Sequence, residues 1–440
     1  MTGLLRPLFA AALLLLPLQA RAAVEIQEVT SPGGITAWLV EEDSIPFVAL
    51  DIRFEGGASL DAPGKRGATN LMMALLEEGA ADRDARTFAE ATEALAARYG
   101  FDAYGDSVSV SAEFLTENRD EAVALLRDAI IEPRFDQDAV DRVRDQVLAV
   151  IEQDARDPGE IASTTLAALA FPDHPYGTPL DGSRETVSSL TRDDLVAAHA
   201  AALTRDRLHV GVTGDITAAE LGPLLDTLLG DLPATGGGEV ADADYALGGG
   251  VTVVDYRSPQ SVVLFGHEGI ARDDEDFFAA FVMNHILGGR GFASKLMEEV
   301  REKRGLTYGI GSFLAPRDHA AQYLGQFASS NDKTAEAVQI VRDIWSDVAA
   351  NGVGTAKLDA AKTFLTGAYP LRFDGNSNIA GILVGMQMED LPIEYIATRN
   401  DEIMAVTGDD IRRVAARILR PGELHFVVVG QPEGLETGGL

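Results

Sequence analysis

The chain has 440 residues, of which 46% are hydrophobic and 24% charged, with no cysteine and a formal net charge of −33 at pH 7. A chain of this length is expected to fold into two or more domains. The lack of cysteine excludes disulfides, a thiol nucleophile and cysteine-ligated zinc. The strongly acidic balance argues against binding to nucleic acid or to an anionic membrane.

The N-terminus has the pattern of a cleaved secretory signal. Arg6 precedes an apolar run over residues 8–16, and an A-x-A cleavage site follows at residues 20–22. The run is too short to span a membrane, and no other stretch approaches the required length. We therefore expect residues 1–22 to be removed, leaving a soluble protein without a membrane span that is exported to a bacterial periplasm.

Hydrophobic periodicity predicts strands and helices in both halves of the chain. In the first half, strands are predicted over residues 25–29, 34–42, 46–54, 107–114 and 208–214. Helices are predicted over residues 64–80, 86–100, 121–131, 138–157 and 191–203, the last capped by Thr191.

The second half repeats the order of the first. Residues 191–214 align with residues 407–430 without a gap at an offset of 216, with nine identities in 24 positions. This similarity predicts a duplicated domain, residues 23–232 and 251–440, joined by a Gly-rich flexible linker, residues 233–250. The fold class expected is α+β, in which two homologous domains, each a mostly antiparallel sheet with packed helices, form a clamshell.

One stretch of the second half brings together residues that can bind a ligand. Gly288 and Gly289 end an apolar helical segment, and an amphipathic helix follows, which Gly305 ends before a strand. Arg301 and Tyr308 flank this helix-to-strand turn, and both carry hydrogen-bond donors. From spacing alone, the simpler interpretation is a surface charge near a strand aromatic.

The surrounding sequence favours a functional interpretation. LGGRGFASKLMEEVREKRGLTYGIGSF, residues 287–313, resembles the C-terminal-domain signature of the M16 peptidases, the pitrilysin, insulinase and mitochondrial processing peptidase group. Residues 56–80 and 171–215 resemble the N-terminal domain of the same family. The resemblance implies that Arg301 and Tyr308 contact the scissile region of a peptide substrate. Gly288, Gly289 and Gly291 would let the substrate backbone approach closely, because no Cβ intrudes.

The chain departs from the family at the metal site. Active M16 enzymes bind zinc through H-x-x-E-H on a helix and a glutamate further along the chain. The corresponding positions here are Asn70, Met73, Ala74 and Val150. No two of the seven histidines are three or four residues apart, so no replacement helical pair is evident. We therefore expect no metal in this chain and zinc in a partner subunit.

Three functional hypotheses remain. The leading one is a non-catalytic, substrate-binding subunit of an exported heteromeric M16 zinc peptidase. It would be inactive alone and would complete the active site of an M16 partner that carries H-x-x-E-H. The alternative is a peptide-binding or scaffold protein without any part in catalysis. The third is a self-sufficient hydrolase with an unrecognised site, which the absent metal, cysteine and G-x-S-x-G motifs disfavour.

Overall fold

The computed structural model describes residues 25–289, 291 and 293–438. The predicted signal segment, residues 1–22, lies outside the described residues. No helix within them is long and apolar enough to cross a membrane.

The strands of the first half form a six-stranded sheet in the order β1-β2-β8-β3-β7-β6, beside a small β4-β5 ribbon. Within the sheet only the β2–β8 pair is parallel. The strands are β1 (Gln27–Thr30), β2 (Thr36–Glu41), β3 (Phe47–Glu55), β4 (Gly79–Ala80), β5 (Arg83–Asp84), β6 (Arg98–Ala103), β7 (Ser107–Leu115) and β8 (Leu208–Gly214).

The strands of the second half form a five-stranded sheet in the order β11-β12-β10-β13-β9, in which only the β9–β13 pair is parallel. They are β9 (Gly250–Asp255), β10 (Gln260–Glu268), β11 (Ile310–Arg317), β12 (Ala320–Ser330) and β13 (His425–Gly430). The predicted α+β class, with two mostly antiparallel sheets, is confirmed.

The α-helices pack mainly on one face of each sheet, where each half has its own large apolar core. In the first half they are α1 (Ala68–Met73), α2 (Ala85–Ala94), α3 (Arg119–Ile131), α4 (Gln137–Asp154), α5 (Pro158–Ala170), α6 (Arg184–Ser189), α7 (Arg192–Ala202) and α8 (Ala218–Leu229). In the second half they are α9 (Phe277–Gly288), α10 (Thr334–Asn351), α11 (Thr355–Ala368), α12 (Asn376–Met388), α13 (Tyr395–Ala405) and α14 (Gly408–Ile418).

The internal repeat is visible in matching helix starts. Thr191 caps α7 through a reciprocal box with Asp194, and Thr407 caps α14 through the same box with Asp410. Each helix then leads to the strand, β8 or β13, that joins the parallel pair of its sheet. The repeated sequence therefore gives the same capped helix and central strand in both halves.

The two halves exchange a helix. The N-terminal helix α5 packs on the C-terminal sheet, where Ala162 and Leu166 contact Val427 and Val429. The C-terminal helix α12 packs on the N-terminal sheet, and a Cβ at Gly211 would lie 2.4 Å from the carbonyl oxygen of Ala380. The clamshell expectation is thereby refined, since the halves are joined by buried helices as well as by the linker.

The linker is more closely packed than its glycine content suggests. The backbone N–H of Ala246 donates to Ala170 at 2.8 Å, and that of Ala243 donates to His319 at 2.8 Å. The Tyr245 ring packs edge-on against Phe171 at 5.5 Å. The expectation of a freely flexible tether therefore differs from the structure, because the second part of the linker contacts both halves.

Two helix predictions were too long. The helix expected over residues 64–80 is confined to α1, because its chain turns after Met73 toward the β4-β5 ribbon. The helix expected over residues 86–100 ends at Ala94, and Ala96 takes a positive φ of 51° that an α-helix does not allow. The chain then enters β6, one of the two edge strands of the first sheet.

Candidate functional site

A cavity of about 1060 Å³ lies in the C-terminal half, beside the edge strand β11. The end of α9, the turn that carries Arg301 and the first residues of β11 surround it. It is lined by all five residues that the sequence predicted to bind a substrate: Gly288, Gly289, Gly291, Arg301 and Tyr308. The structure therefore brings these residues together at one open site.

Arg301 lies on a π-helical turn, Met297–Glu302, rather than on the α-helix expected from the sequence. The apolar side of this turn is anchored in the core by Leu296 and Val300, both fully buried. Arg301 itself is half-buried and lines the cavity. Because π turns are rare and recur at functional sites, this one supports a role for Arg301 beyond that of a surface charge.

Tyr308 stands at the entrance to β11 with 87% of its surface exposed. The preceding Thr307 fixes the turn, since its Oγ1 lies 2.7 Å from the carbonyl oxygen of Ala328 and 2.8 Å from that of Gly309, and its single hydrogen can go to either. An aromatic ring this exposed contributes little to the core. Its phenol is accessible to a ligand in the cavity.

Glycine is needed for different physical reasons at different positions of the site. A Cβ at Gly288 would lie 2.2 Å from the Ser312 Oγ, so glycine lets the end of α9 approach β11. Ser312 also donates to Asn284 at 2.8 Å, which joins the strand to this helix. Gly291 has a φ of 110°, and a Cβ built there would meet no described atom within 4 Å apart from its chain neighbours. Packing thus explains Gly288, whereas Gly291 meets a conformational need on the cavity rim.

The remaining walls include residues that the sequence reasoning missed. Met297, Phe313 and Gln326 line the cavity together with Val262 and Ala328. Val262 pairs with Ala328 in the β10–β12 register, on neighbouring strands of the sheet. The sequence offered one signal for the wall residues of β12. Side chains alternate between the two faces of a strand, so residues 326 and 328 must share one face of the sheet.

The positions that hold zinc in active relatives are occupied differently in the N-terminal half. Asn70 donates from Nδ2 to the Asp181 Oδ1 at 2.8 Å. The Met73 side chain is 1% exposed and belongs to the apolar core. Ala74 follows the end of α1, and Val150 on α4 is 48% exposed. These four residues offer neither a ligand set for zinc nor a carboxylate to activate water.

Acidic groups near α1 are engaged in local structure. Asp61 accepts hydrogen bonds from the backbone of Gly67 and Thr69 and from the Thr69 hydroxyl. Burial raises the pKa of Asp61 above its usual value. Burial, and then the nearby charge of Asp154, raise the pKa of Asp181. Among the described residues, no three His, Asp or Glu side chains form a group that could hold a metal ion.

Two histidines at equivalent strand positions of the repeat have structural contacts. The His209 Nε2 lies 2.7 Å from Glu55, and the His425 Nε2 lies 2.9 Å from the Thr252 hydroxyl. His285, on α9 near the glycines, stacks on Phe364 with ring centroids 5.1 Å apart. These contacts give each ring a packing or hydrogen-bonding role.

Comparison with known proteins identifies both halves. Residues 38–184 match the family model described as insulinase, peptidase family M16, and residues 189–365 match that described as peptidase M16 inactive domain. The non-peptidase homolog YmxG of Helicobacter pylori is 27% identical over 88% of this chain and 90% of its own length. An uncharacterized zinc protease of Mycobacterium leprae is 25% identical over 91% of each chain.

Solved structures agree with these matches. The crystal structure of a peptidase M16 inactive domain from Pseudomonas fluorescens superposes with a TM-score of 0.88 at 27% identity. The superposition covers 94% of this chain and 100% of the Pseudomonas fluorescens chain. The similarity therefore extends over both sheets and the helices exchanged between them.

Proposed function

The chain belongs to the peptidase M16 family, and from this premise we propose that it is the substrate-binding, non-catalytic subunit of a heteromeric zinc peptidase. It is an M16 member without the zinc-binding motif. A partner subunit with H-x-x-E-H would hold the ion and the carboxylate that activates water. This chain would supply Arg301 and Tyr308 to the peptide held between the two subunits.

The observation that carries the proposal is the contrast between a filled metal position and an open cavity. The Asn70 amide is hydrogen-bonded to Asp181 and Met73 is part of the core, whereas Tyr308 is almost fully exposed. A guanidinium and a phenol can donate hydrogen bonds to a peptide carbonyl as negative charge develops on its oxygen. Such donors lower a reaction barrier by roughly 3 kcal/mol each in well-ordered sites.

The position of the cavity suits an extended peptide. It lies beside β11, an edge strand whose only strand partner among the described residues is β12. An edge strand can bind a peptide through main-chain hydrogen bonds, largely independently of sequence. Gly309 and Gly311 in the wall leave the backbone accessible.

The cellular location is part of the proposal. The charged, apolar and small-residue segments of the first 22 residues support export, and the cysteine-free composition is compatible with an oxidising compartment. We place the subunit in a bacterial periplasm.

A second candidate is a binding or scaffold protein outside any catalytic complex. The similarity to a relative named a non-peptidase homolog favours it. The two candidates differ in whether Tyr308 affects the turnover of a partner enzyme.

A cleavage assay on two samples separates the candidates. The purified mature chain is compared with the same tagged chain captured together with its native partners, using an unstructured peptide with and without a chelator. We expect no cleavage by the chain alone and chelator-sensitive cleavage by the captured complex, with an H-x-x-E-H subunit present. No cleavage by either sample would favour the scaffold, and cleavage by the pure chain would contradict both candidates.

A further inference from the structure

The turn that carries Arg301 contains an ion pair between the two residues that its π-type backbone hydrogen bond joins. The backbone N–H of Lys303 donates to the carbonyl oxygen of Glu298, five residues earlier. The Lys303 Nζ also lies 2.8 Å from the Glu298 Oε1. Lys303 also lies 2.7 Å from the Glu299 Oε1, at the i,i+4 spacing of an α-helix. The backbone hydrogen bond from Lys303 to Glu298, rather than the ion pair alone, therefore identifies the wider π turn.

Glu298 also joins the turn to the rest of the domain. Lys357 on α11 donates to its Oε2 at 2.6 Å. These hydrogen bonds, to Lys303 first and Lys357 second, lower the pKa of Glu298 to about 2. Lys295, just before the turn, pairs with Asp347 on α10. The polar side of the turn is therefore held at two points, while Leu296 and Val300 hold its apolar side.

The width of the turn determines where Arg301 points. In an α-helix, five residues rotate by about 140° beyond a full turn. In a wider turn closed by i→i+5 hydrogen bonds, the same five residues rotate less, by only about 50° beyond a full turn. Arg301, five residues after Leu296, is thus placed on the side of the fully buried Leu296 and beside the cavity. An α-helical turn would rotate it away.

We propose that Glu298 is a positioning residue, which keeps this turn π-helical through Lys303 and Lys357 and so directs Arg301 into the cavity. The proposal rests on the peptide-binding role proposed above for Arg301. It adds a structural requirement that the spacing between Arg301 and Tyr308 does not contain, namely a carboxylate three residues before the arginine. Lys357 supplies the contact from the neighbouring helix.

Peptide binding and amide exchange test the proposal together. The probe is a fluorescein-labelled unstructured peptide, whose anisotropy is followed on the full mature chain. Because the ion pairs are partly exposed, Glu298→Gln should weaken binding by roughly three- to fivefold. Lys357→Met should weaken binding similarly, whereas Lys357→Arg keeps the charge and should bind the peptide like the wild type. Glu302→Gln removes the same charge from the same turn and should have no effect.

Hydrogen exchange provides a readout that does not depend on the peptide. The Lys303 amide, the donor of the π-type bond, should exchange faster in Glu298→Gln and at the wild-type rate in Glu302→Gln. Unchanged binding and exchange in both Glu298→Gln and Lys357→Met would overturn the positioning role, even if Arg301→Ala weakens binding. If Arg301→Ala leaves binding unchanged, the peptide-binding role itself fails, and exchange at Lys303 still decides whether Glu298 holds the turn.

Discussion

The two halves share a fold and a repeated sequence, but they have diverged in opposite ways at their functional regions. On α1 of the N-terminal half, the vacated zinc positions are closed by packing and by the hydrogen bond from Asn70 to Asp181. On the C-terminal half, Arg301 and Tyr308 line an open cavity beside an edge strand. The region on α1 is largely closed, with Met73 in the core and Asn70 half-buried, whereas the region around Arg301 is open.

This difference is informative because exposure has an energetic consequence. A vacated site that fills with apolar side chains gains burial and loses water-filled space. An exposed tyrosine at a cavity mouth gains nothing comparable from folding. Stability therefore accounts for the closed region, whereas the open region is where the proposed function places a ligand.

The largest expected effect is that of Met73→Glu, which would restore the catalytic carboxylate of active relatives. Met73 is fully enclosed, so an unpaired charge there should lower the free energy of unfolding by about 3 kcal/mol. Urea titration measures the change, with Met73→Leu as the volume-matched control. Equal stability of Met73→Glu and wild type would mean that the old site is still open to water.

The second prediction concerns pH and the core of the C-terminal sheet. His267 is fully buried; its Nδ1 lies 2.7 Å from the carbonyl oxygen of Glu268, and its Nε2 accepts from the Trp345 indole at 3.0 Å. Burial lowers the pKa of His267 below 6.5, so the folded protein favours the neutral ring. The unfolded chain then binds the proton first, and stability should decrease as the pH falls below about 6.5.

Tryptophan fluorescence, from the buried Trp38 and Trp345, measures denaturant unfolding at a series of pH values. His267→Gln keeps hydrogen-bonding groups but cannot titrate, so its stability should depend less on pH than that of the wild type. Parallel pH profiles for the two proteins would remove His267 as a cause of acid sensitivity.

A smaller effect is expected for Asn70→Ala. The substitution removes the donor to Asp181, a carboxylate whose raised pKa already reflects burial. Loss of one partly buried hydrogen bond should cost about 1 kcal/mol of unfolding free energy. Thermal and urea unfolding give the value, and a change near zero would show that water replaces the amide without loss.

The smallest effect is expected for Val150→Glu, which restores a carboxylate at the other vacated position. Val150 is about half exposed on α4, so the stability should change by no more than about 0.5 kcal/mol. Comparison with Met73→Glu shows whether the loss of unfolding free energy comes from burying the new carboxylate or from the carboxylate itself. A penalty as large as that of Met73→Glu would contradict the exposed placement of Val150.

Local sequence signals predicted much of the fold. The boxes at Thr191 and Thr407 and the strand over residues 208–214 follow from capping and apolar patterning, which depend on neighbouring residues. The exchange of α5 and α12 was not predictable in this way. Neither helix is among those predicted from periodicity, and only the folded chain determines which sheet each one covers.

The site shows the same limit. The grouping of Arg301, Tyr308 and the glycines followed from a contiguous motif. The apolar stripe of Leu296, Met297 and Val300 suits a π turn and an α-helix alike, so the π form was not evident. The contact between Asn70 and Asp181 joins residues 111 positions apart, and no local pattern indicates it.

The most direct test of the account is the turnover of a labelled peptide by the zinc-bearing partner, reconstituted with wild-type chain, Arg301→Ala or Tyr308→Phe. Tyr308 is exposed, so Tyr308→Phe should leave folding and assembly unchanged, as unfolding curves and size-exclusion chromatography would show. Loss of one transition-state donor should lower kcat by roughly 100-fold. Wild-type turnover by both variant complexes would contradict the claim that this chain contributes to catalysis.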